Sequence, residues 1–300
     1  MKLLASATAL LAHLTAAAGA SAPSATSSPA LPCNRLYVFG DSYSDIGFGY
    51  VDGNGPTAVA YAAHDLGLSL FAADVGGEND GLDFAVSGAG TGTSPGQMAG
   101  RMMLGLGMLD QVGHFETRVR AKTISFTPSM RVFFLAGGLN DAPLPLSQTQ
   151  RNIAAQLEGL YRAGGRRFVL ARLPVTLINP DVGKRLNPTL DRLAESWSAA
   201  HPGSTVQVSN WGLLFDRVRA EARFRGFTDV TTACAGRAIF RQDATPCADP
   251  AARFFYHDLH PSTEAHRQTG ALLAQEARRA WCRTGHSAAS SGANSKPGGR

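Results

Sequence analysis

A chain of 300 residues, 44% of them hydrophobic, is long enough to bury one sizeable core and is expected to form one domain once its ends are trimmed. Its net charge of +5 is modest and scattered. Basic doublets such as Arg166-Arg167 and Arg278-Arg279 read as solvated element ends, so the one-faced basic stripe of a nucleic-acid binder is missing and nucleic acid is excluded as a partner.

The amino terminus carries Lys2, an apolar run from Leu3 to Leu14 and small residues through Ala18-Gly19-Ala20, the pattern of a secretory signal over residues 1–20. That run is too short for a membrane span, and no later stretch is long and apolar enough to cross a bilayer. A soluble, secreted protein is expected. Residues 21–32, rich in Ser, Ala and Pro, read as a flexible leader, residues 33–284 as the folded domain, and the small, polar residues 285–300 as a disordered tail. Cys33, Cys234, Cys247 and Cys282 lie downstream of the signal and suit two disulfides in an oxidising compartment. Three pairings are open. The favoured one joins Cys234 to Cys247 as a local staple and Cys33 to Cys282 across the ends of the domain. No two cysteines stand at short ligand spacing, which argues against zinc.

Leu36 to Phe39 form a buried strand that stops at Gly40, placing Ser42 at its carboxyl edge. Pro56 to Leu66 have a Pro start, an Ala-rich helical period and a Gly67 stop. A short strand over Leu82 to Val86 runs into Ser87-Gly88-Ala89-Gly90, and a helix is expected over Leu104 to Arg120. Arg131 to Ala136 is the clearest buried strand, ending at Gly137-Gly138-Leu139-Asn140-Asp141. Helices at 148–163, 190–200 and 213–222 alternate with strands at 167–173 and 205–208, and a last helix covers Thr263 to Cys282. Strands alternating with helices imply a parallel sheet wrapped on both faces.

Three strand ends therefore carry polar groups that a packed sheet does not need: Ser42, Gly88 and Asn140. All lie at carboxyl edges, where open α/β sheets bind ligands. Acyl transfer needs a nucleophile, a base and donors aimed at a developing oxyanion. Ser42 Oγ suits the first role. The N–H groups of Ser42 and Gly88 and the Asn140 amide suit the third. His260, held before a helix by Pro261, suits the second, with Asp258 two residues upstream to orient it.

Phe39-Gly40-Asp41-Ser42-Tyr43-Ser44-Asp45, Phe84-Ala85-Val86-Ser87-Gly88-Ala89, Gly138-Leu139-Asn140-Asp141 and His260-Pro261-Ser262 resemble, in order, the four signature blocks of GDSL-type esterases and lipases, the SGNH hydrolases. The resemblance spans about residues 33–282 and is nearest to secreted fungal acetylesterases and lipase-like members. It implies a three-layer α/β/α sandwich with flavodoxin-like topology, and assigns Ser42, Gly88, Asn140 and His260 the four named roles. The family's acid stands three residues before the histidine, where this chain has His257. Two alternatives stay open: Asp258 completes a triad, or a Ser–His dyad operates with His257 or a backbone carbonyl holding the imidazole.

The string Gly92-Thr93-Ser94-Pro95-Gly96 imitates a nucleophile elbow, but such an elbow uses the N–H after its serine, which Pro95 lacks. His257, Asp258, His260 and His266 have no second cluster to support a metal. No metal or cofactor is implied, and a monomer is expected. The expected activity is hydrolysis of carboxylic esters, on acetylated saccharides or short-to-medium acyl lipids, through an acyl-enzyme on Ser42. The alternative is a catalytically degenerate binding protein on the same fold. Met98, Met102, Met103, Leu104, Leu106, Met108 and Leu109 line either an acyl groove or, as the favoured reading, plain helix core.

Overall fold

The computed structural model describes residues 32–47, 53–100, 102–125 and 128–283. The expected signal and tail lie outside these residues, as does all but the last residue of the leader. Six parallel strands form the central sheet: β1 (Arg35–Gly40), β2 (Phe71–Ala72), β3 (Leu82–Asp83), β6 (Arg131–Ala136), β7 (Arg167–Ala171) and β8 (Thr205–Ser209). Their spatial order is β2-β3-β1-β6-β7-β8. Set aside the two-residue edge strand β2, and the order is that of a flavodoxin-like sheet. β1, β6 and β7 are almost wholly buried runs, as strands covered on both faces must be.

Helices α1 (Ala58–Asp65), α5 (Trp211–Ala220) and α6 (Thr263–Ala280) pack together, α6 against both others. Helices α2 (Met108–Arg120), α3 (Leu146–Arg162) and α4 (Pro180–Ala200) pack in sequence, α2 on α3 and α3 on α4. The result is a three-layer α/β/α sandwich. Two small hairpins stand outside the sheet: β4 (Pro95–Ala99) with β5 (Met102–Leu106), and β9 (Phe255–His257) with β10 (His260–Pro261). Among the described residues no helix is long and apolar enough to cross a membrane.

The chain leaves β1 toward β3 on one side, then returns to place β6 on the other. The strand order therefore reverses between β1 and β6, and the crevice for a ligand opens at their carboxyl ends. Gly40 closes β1 there. A Cβ at this position would sit 2.4 Å from the Ala136 carbonyl oxygen, so glycine is what lets the two strand ends approach. The buried Gln111 amide satisfies the exit, accepting from Gly40 N–H at 3.0 Å and donating to Gly40 O at 2.9 Å.

Three expectations change. The helix expected from Leu104 begins only at Met108, and Leu104 belongs to β5. Gly96, Gly100 and Gly105 hold positive φ, which turns this apolar stretch into a hairpin. The strand expected over 82–86 is regular only at Leu82–Asp83, although Phe84 N–H and Val86 N–H still donate to Val38 O and Gly40 O. Helix α4 starts at Pro180, ten residues before the expected start, and runs through Pro188.

The two ends of the described chain are fastened together. Cys33 is bonded to Cys282, Cys33 N–H donates to Arg283 O at 3.1 Å, and the buried Arg167 donates to Pro32 O, Ser129 O and Trp281 O. Closing a loop of this length restricts the unfolded chain strongly. The Cys33→Ser, Cys282→Ser double variant is expected to lose about 2–5 kcal/mol of stability. Thermal and urea unfolding against the unmodified protein check this.

Candidate active site

The residues after β1 turn at once: Ser44 N–H and Asp45 N–H both donate to Asp41 O, at 2.9 and 3.0 Å. Ser42 sits inside this turn, only 8% exposed. The Asp41 side chain caps the turn by accepting from Tyr43 N–H at 3.2 Å. Burial pushes the Asp41 carboxyl up to about 7, against the pull of the Tyr43 and Leu139 N–H groups.

His260 comes from the other end of the chain. Hairpin β9–β10 pairs His257 with His260 across Asp258 and Leu259, and Leu259 takes φ +66°, a left-handed backbone for a leucine. Pro261 and the helix cap at Ser262 end the hairpin. Ser262 N–H donates to Phe254 O at 2.7 Å, its hydroxyl donates to Arg253 O at 2.7 Å, and the same oxygen accepts from Ala265 N–H at the start of α6.

This turn sets His260 Nε2 2.9 Å from Ser42 Oγ. On the far side, Nδ1 lies 3.1 Å from the main-chain carbonyl of Asp258. A carbonyl only accepts, so Nδ1 carries the proton and Nε2 presents its lone pair to the Ser42 hydroxyl. Burial first, and then the Arg237 charge, hold the His260 pKa down to about 4, so the ring is neutral at neutral pH.

The part of Asp258 that meets the ring is thus its backbone. Its carboxylate is exposed. Of the alternatives left open by the sequence, the group beside Nδ1 is a backbone carbonyl, and the residue between it and His260, Leu259, holds a positive φ. His257 is buried behind the hairpin with its Nδ1 3.1 Å from Ala235 O.

Ser42, Gly88, Asn140 and His260 line one cavity of about 330 Å³, together with Leu104, Ile178, Arg237, Phe240, Asp258 and Leu259, among others. Gly88 holds φ +82°, a conformation that strains any L side chain. Asn140 commits one amide N–H to Ala89 O at 2.9 Å, which fixes the amide and leaves its second N–H for a ligand. Asp141 holds the loop after β3 by accepting from Thr91 N–H at 2.9 Å. Ser94 is elsewhere, its N–H on Asp110 beside the start of α2. His266 is a buried strut that accepts Ala58 N–H at 3.0 Å, and burial holds its pKa down to about 3. Among the described residues no group of three or more His, Cys, Asp or Glu is placed to hold a metal ion.

The family model described as GDSL-like Lipase/Acylhydrolase matches residues 36–273. The chain belongs to this family. As a GDSL acylhydrolase it is a carboxylic ester hydrolase. It is 26% identical over 301 residues to an acetylesterase of Thermothelomyces thermophilus, covering 86% of this chain and 92% of that protein. A solved structure of a lipolytic G-D-S-L family protein from Veillonella parvula DSM 2008 is 16% identical, with a TM-score of 0.45, over 81% of this chain and 97% of that one.

In this GDSL hydrolase two neighbours of the site escaped the sequence reading. Tyr43 is completely buried, and its hydroxyl donates to Leu259 O while its ring packs 5.7 Å from that of His260. Its position beside Ser42 gave no hint of a partner so distant in sequence. Arg237 lies in a loop whose cysteines signalled a staple but not a cavity wall. Burial raises the Tyr43 pKa well above that of an ordinary phenol, so the hydroxyl remains a donor. Tyr43→Phe is expected to cost about 1–2 kcal/mol of stability in urea unfolding, since it orphans a carbonyl in a partly buried turn. It should also lower kcat by loosening the His260 hairpin.

Proposed function

We propose that this chain is a secreted serine esterase working with a Ser42–His260 dyad whose imidazole is oriented by main chain. The observation that carries this reading is the 2.9 Å contact between His260 Nε2 and Ser42 Oγ, with the tautomer of the ring fixed from its other side. Ser42 Oγ attacks the ester carbonyl carbon while its proton passes to Nε2. The carbonyl oxygen becomes an oxyanion, received by the N–H groups of Ser42 and Gly88 and the free N–H of the Asn140 amide. Collapse expels the alcohol, which takes the proton from Nε2 and leaves the acyl group on Ser42. Water then gives a proton to Nε2 as it attacks the acyl carbon, and Ser42 departs with that proton as the carboxylic acid is released.

The Asp258 carbonyl keeps the base in its working tautomer. As a dipole it stabilises the transient imidazolium less than a carboxylate would, so turnover is slower than a full triad would support. Similarity to an acetylesterase supports short acyl groups, on saccharides or lipids. Met98, Met103 and Leu106 line, with Val86, a second, mostly apolar cavity of about 460 Å³, and among the described residues none lines both it and the Ser42 cavity. The signal-like residues 1–20 and the two disulfides support secretion. One observation, the exposed Asp258 carboxylate, favours instead a catalytically inert binding protein.

Hydrolysis of p-nitrophenyl acetate separates the two. The unmodified protein should turn over, and Ser42→Ala should lose about 10⁴-fold or more. No turnover by the unmodified protein would leave the binding protein standing. Asp258→Asn should cost far less than the roughly 10⁴-fold that follows loss of a triad carboxylate. A loss of that size would place the carboxylate, not the carbonyl, on the base. Because His260 is held down to about 4, its base form persists into acid. kcat/KM should therefore hold level well below the ordinary histidine pKa and fall only near pH 4 as Nε2 gains a proton.

A further inference from the structure

The second cavity takes no part in the ester chemistry at Ser42. Its volume of about 460 Å³ is within the range of small-molecule sites. Four elements build it: the chain after β2, the exit of β3, hairpin β4–β5 and one side of α2. Phe84, Ala85, Val86 and Leu106, all buried, form an apolar floor, with Ala72 and Met103 on the walls. The exposed Asp74, His114 and Thr117 stand at the rim with the half-buried Arg118. Val86 faces this cavity, whereas Ser87 and Gly88 face the one that holds Ser42. On β5 the split repeats, Met103 lining the second cavity and Leu104 the first, since successive strand residues point to opposite sides. Gly105 N–H donates to Ser87 O at 2.8 Å and closes the partition. A molecule in the second cavity is therefore not the ester under attack.

The polar side chains around the floor hold backbone. Asp83 accepts from Ile46 N–H at 3.1 Å and Ala85 N–H at 2.8 Å, and burial, with Asp45 nearby, favours its uncharged form. Arg118 donates to Gly76 O at 3.1 Å and to Ala73 O, which pins the loop after β2. An alkyl chain suits such a floor better than water does, because water finds few partners there. At the rim Asp74 and Arg118 carry opposite charges, so neither an anion nor a cation gains a net attraction. A hydroxyl suits both, since it donates to a carboxylate and accepts from a guanidinium N–H.

We propose that this cavity binds a neutral medium-chain alcohol, its alkyl chain on the floor and its hydroxyl at the rim. The site is separate from the catalytic cavity and holds whether or not Ser42 acts as a nucleophile.

Calorimetric titration with butan-1-ol, hexan-1-ol and octan-1-ol tests this. Each added methylene should tighten Kd about fourfold, the gain for burying one CH₂ group. Octan-1-ol should bind about fivefold or more tightly than octanoate or octylammonium, whose charge loses hydration without a matching partner. Thr117→Trp, which fills the mouth from an exposed position on α2, should abolish octan-1-ol binding. His114→Trp, at the rim one turn away, should reproduce the loss. Urea unfolding identifies which of the two variants keeps the stability of the unmodified protein. Ser42→Ala should bind octan-1-ol as the unmodified protein does, and a loss there would put the alcohol in the catalytic cavity and overturn the proposal. So would a Kd that ignores chain length, equal binding of either ion, or octan-1-ol binding retained by a folded tryptophan variant.

Discussion

Besides the contact between Ser42 and His260 themselves, a partly buried hydrogen bond joins the two halves of this site. The Tyr43 hydroxyl reaches Leu259 O across 216 residues of chain. The Ser42 turn is an extension of the central sheet, but the hairpin bearing His260 pairs only with itself. The distance between nucleophile and base is therefore not set by sheet geometry. It is set by what holds the hairpin down: the Tyr43 phenol below, the Ser262 cap at its exit and the disulfide loop behind. Leu259 pays about 1–2 kcal/mol for its left-handed backbone, and with its side chain 53% exposed, packing is not what offsets that cost. The main-chain bond to Tyr43 is the contact that favours the strained turn.

Carboxyl groups do similar work in the loops around the cavity. Asp41 accepts from Tyr43 N–H, Asp45 from Ser87 N–H, Asp83 from Ile46 and Ala85 N–H, and Asp141 from Thr91 N–H. All four acids are buried. Segments with no strand or helix of their own thus have their donors satisfied by side chains, which is how irregular backbone can lie this deep. Asp83 shows the cost. Burial and the neighbouring Asp45 raise its pKa well above the ordinary range, so its proton is held far more tightly than in water.

The centre of the sheet was legible because β1, β6 and β7 are largely apolar, buried runs, and Arg131–Ala136 matches the expected bounds, whereas the two-residue edge strand β2 went unread. Ser42, Gly88 and Asn140 could be singled out because each follows such a run with groups that packing does not require. What stayed hidden depended on backbone sign and on distance. Nothing in Asp258-Leu259 marks a left-handed turn, since neither glycine nor asparagine stands at residue 259. The sequence accordingly left two orienters open, the Asp258 side chain or a Ser–His dyad with His257 or a backbone carbonyl, and the contact at Nδ1 is the Asp258 carbonyl. The Met- and Leu-rich stretch before α2 reads as helix from Leu104 onward, and the positive φ of its glycines accompanies a hairpin instead. Tyr43 and Arg237 act through partners remote in the chain, which no local pattern reports.

The fastening of Cys33 to Cys282 has a consequence for handling the protein. β1 begins just after Cys33 and delivers Ser42 at its opposite end, so the joined ends sit on the rim of the sheet away from the catalytic crevice. Whatever is attached before residue 32 or after residue 283 leaves the molecule from one shared corner. A tag, a carrier domain or a solid support fixed at either end would leave the mouth of the site facing outward.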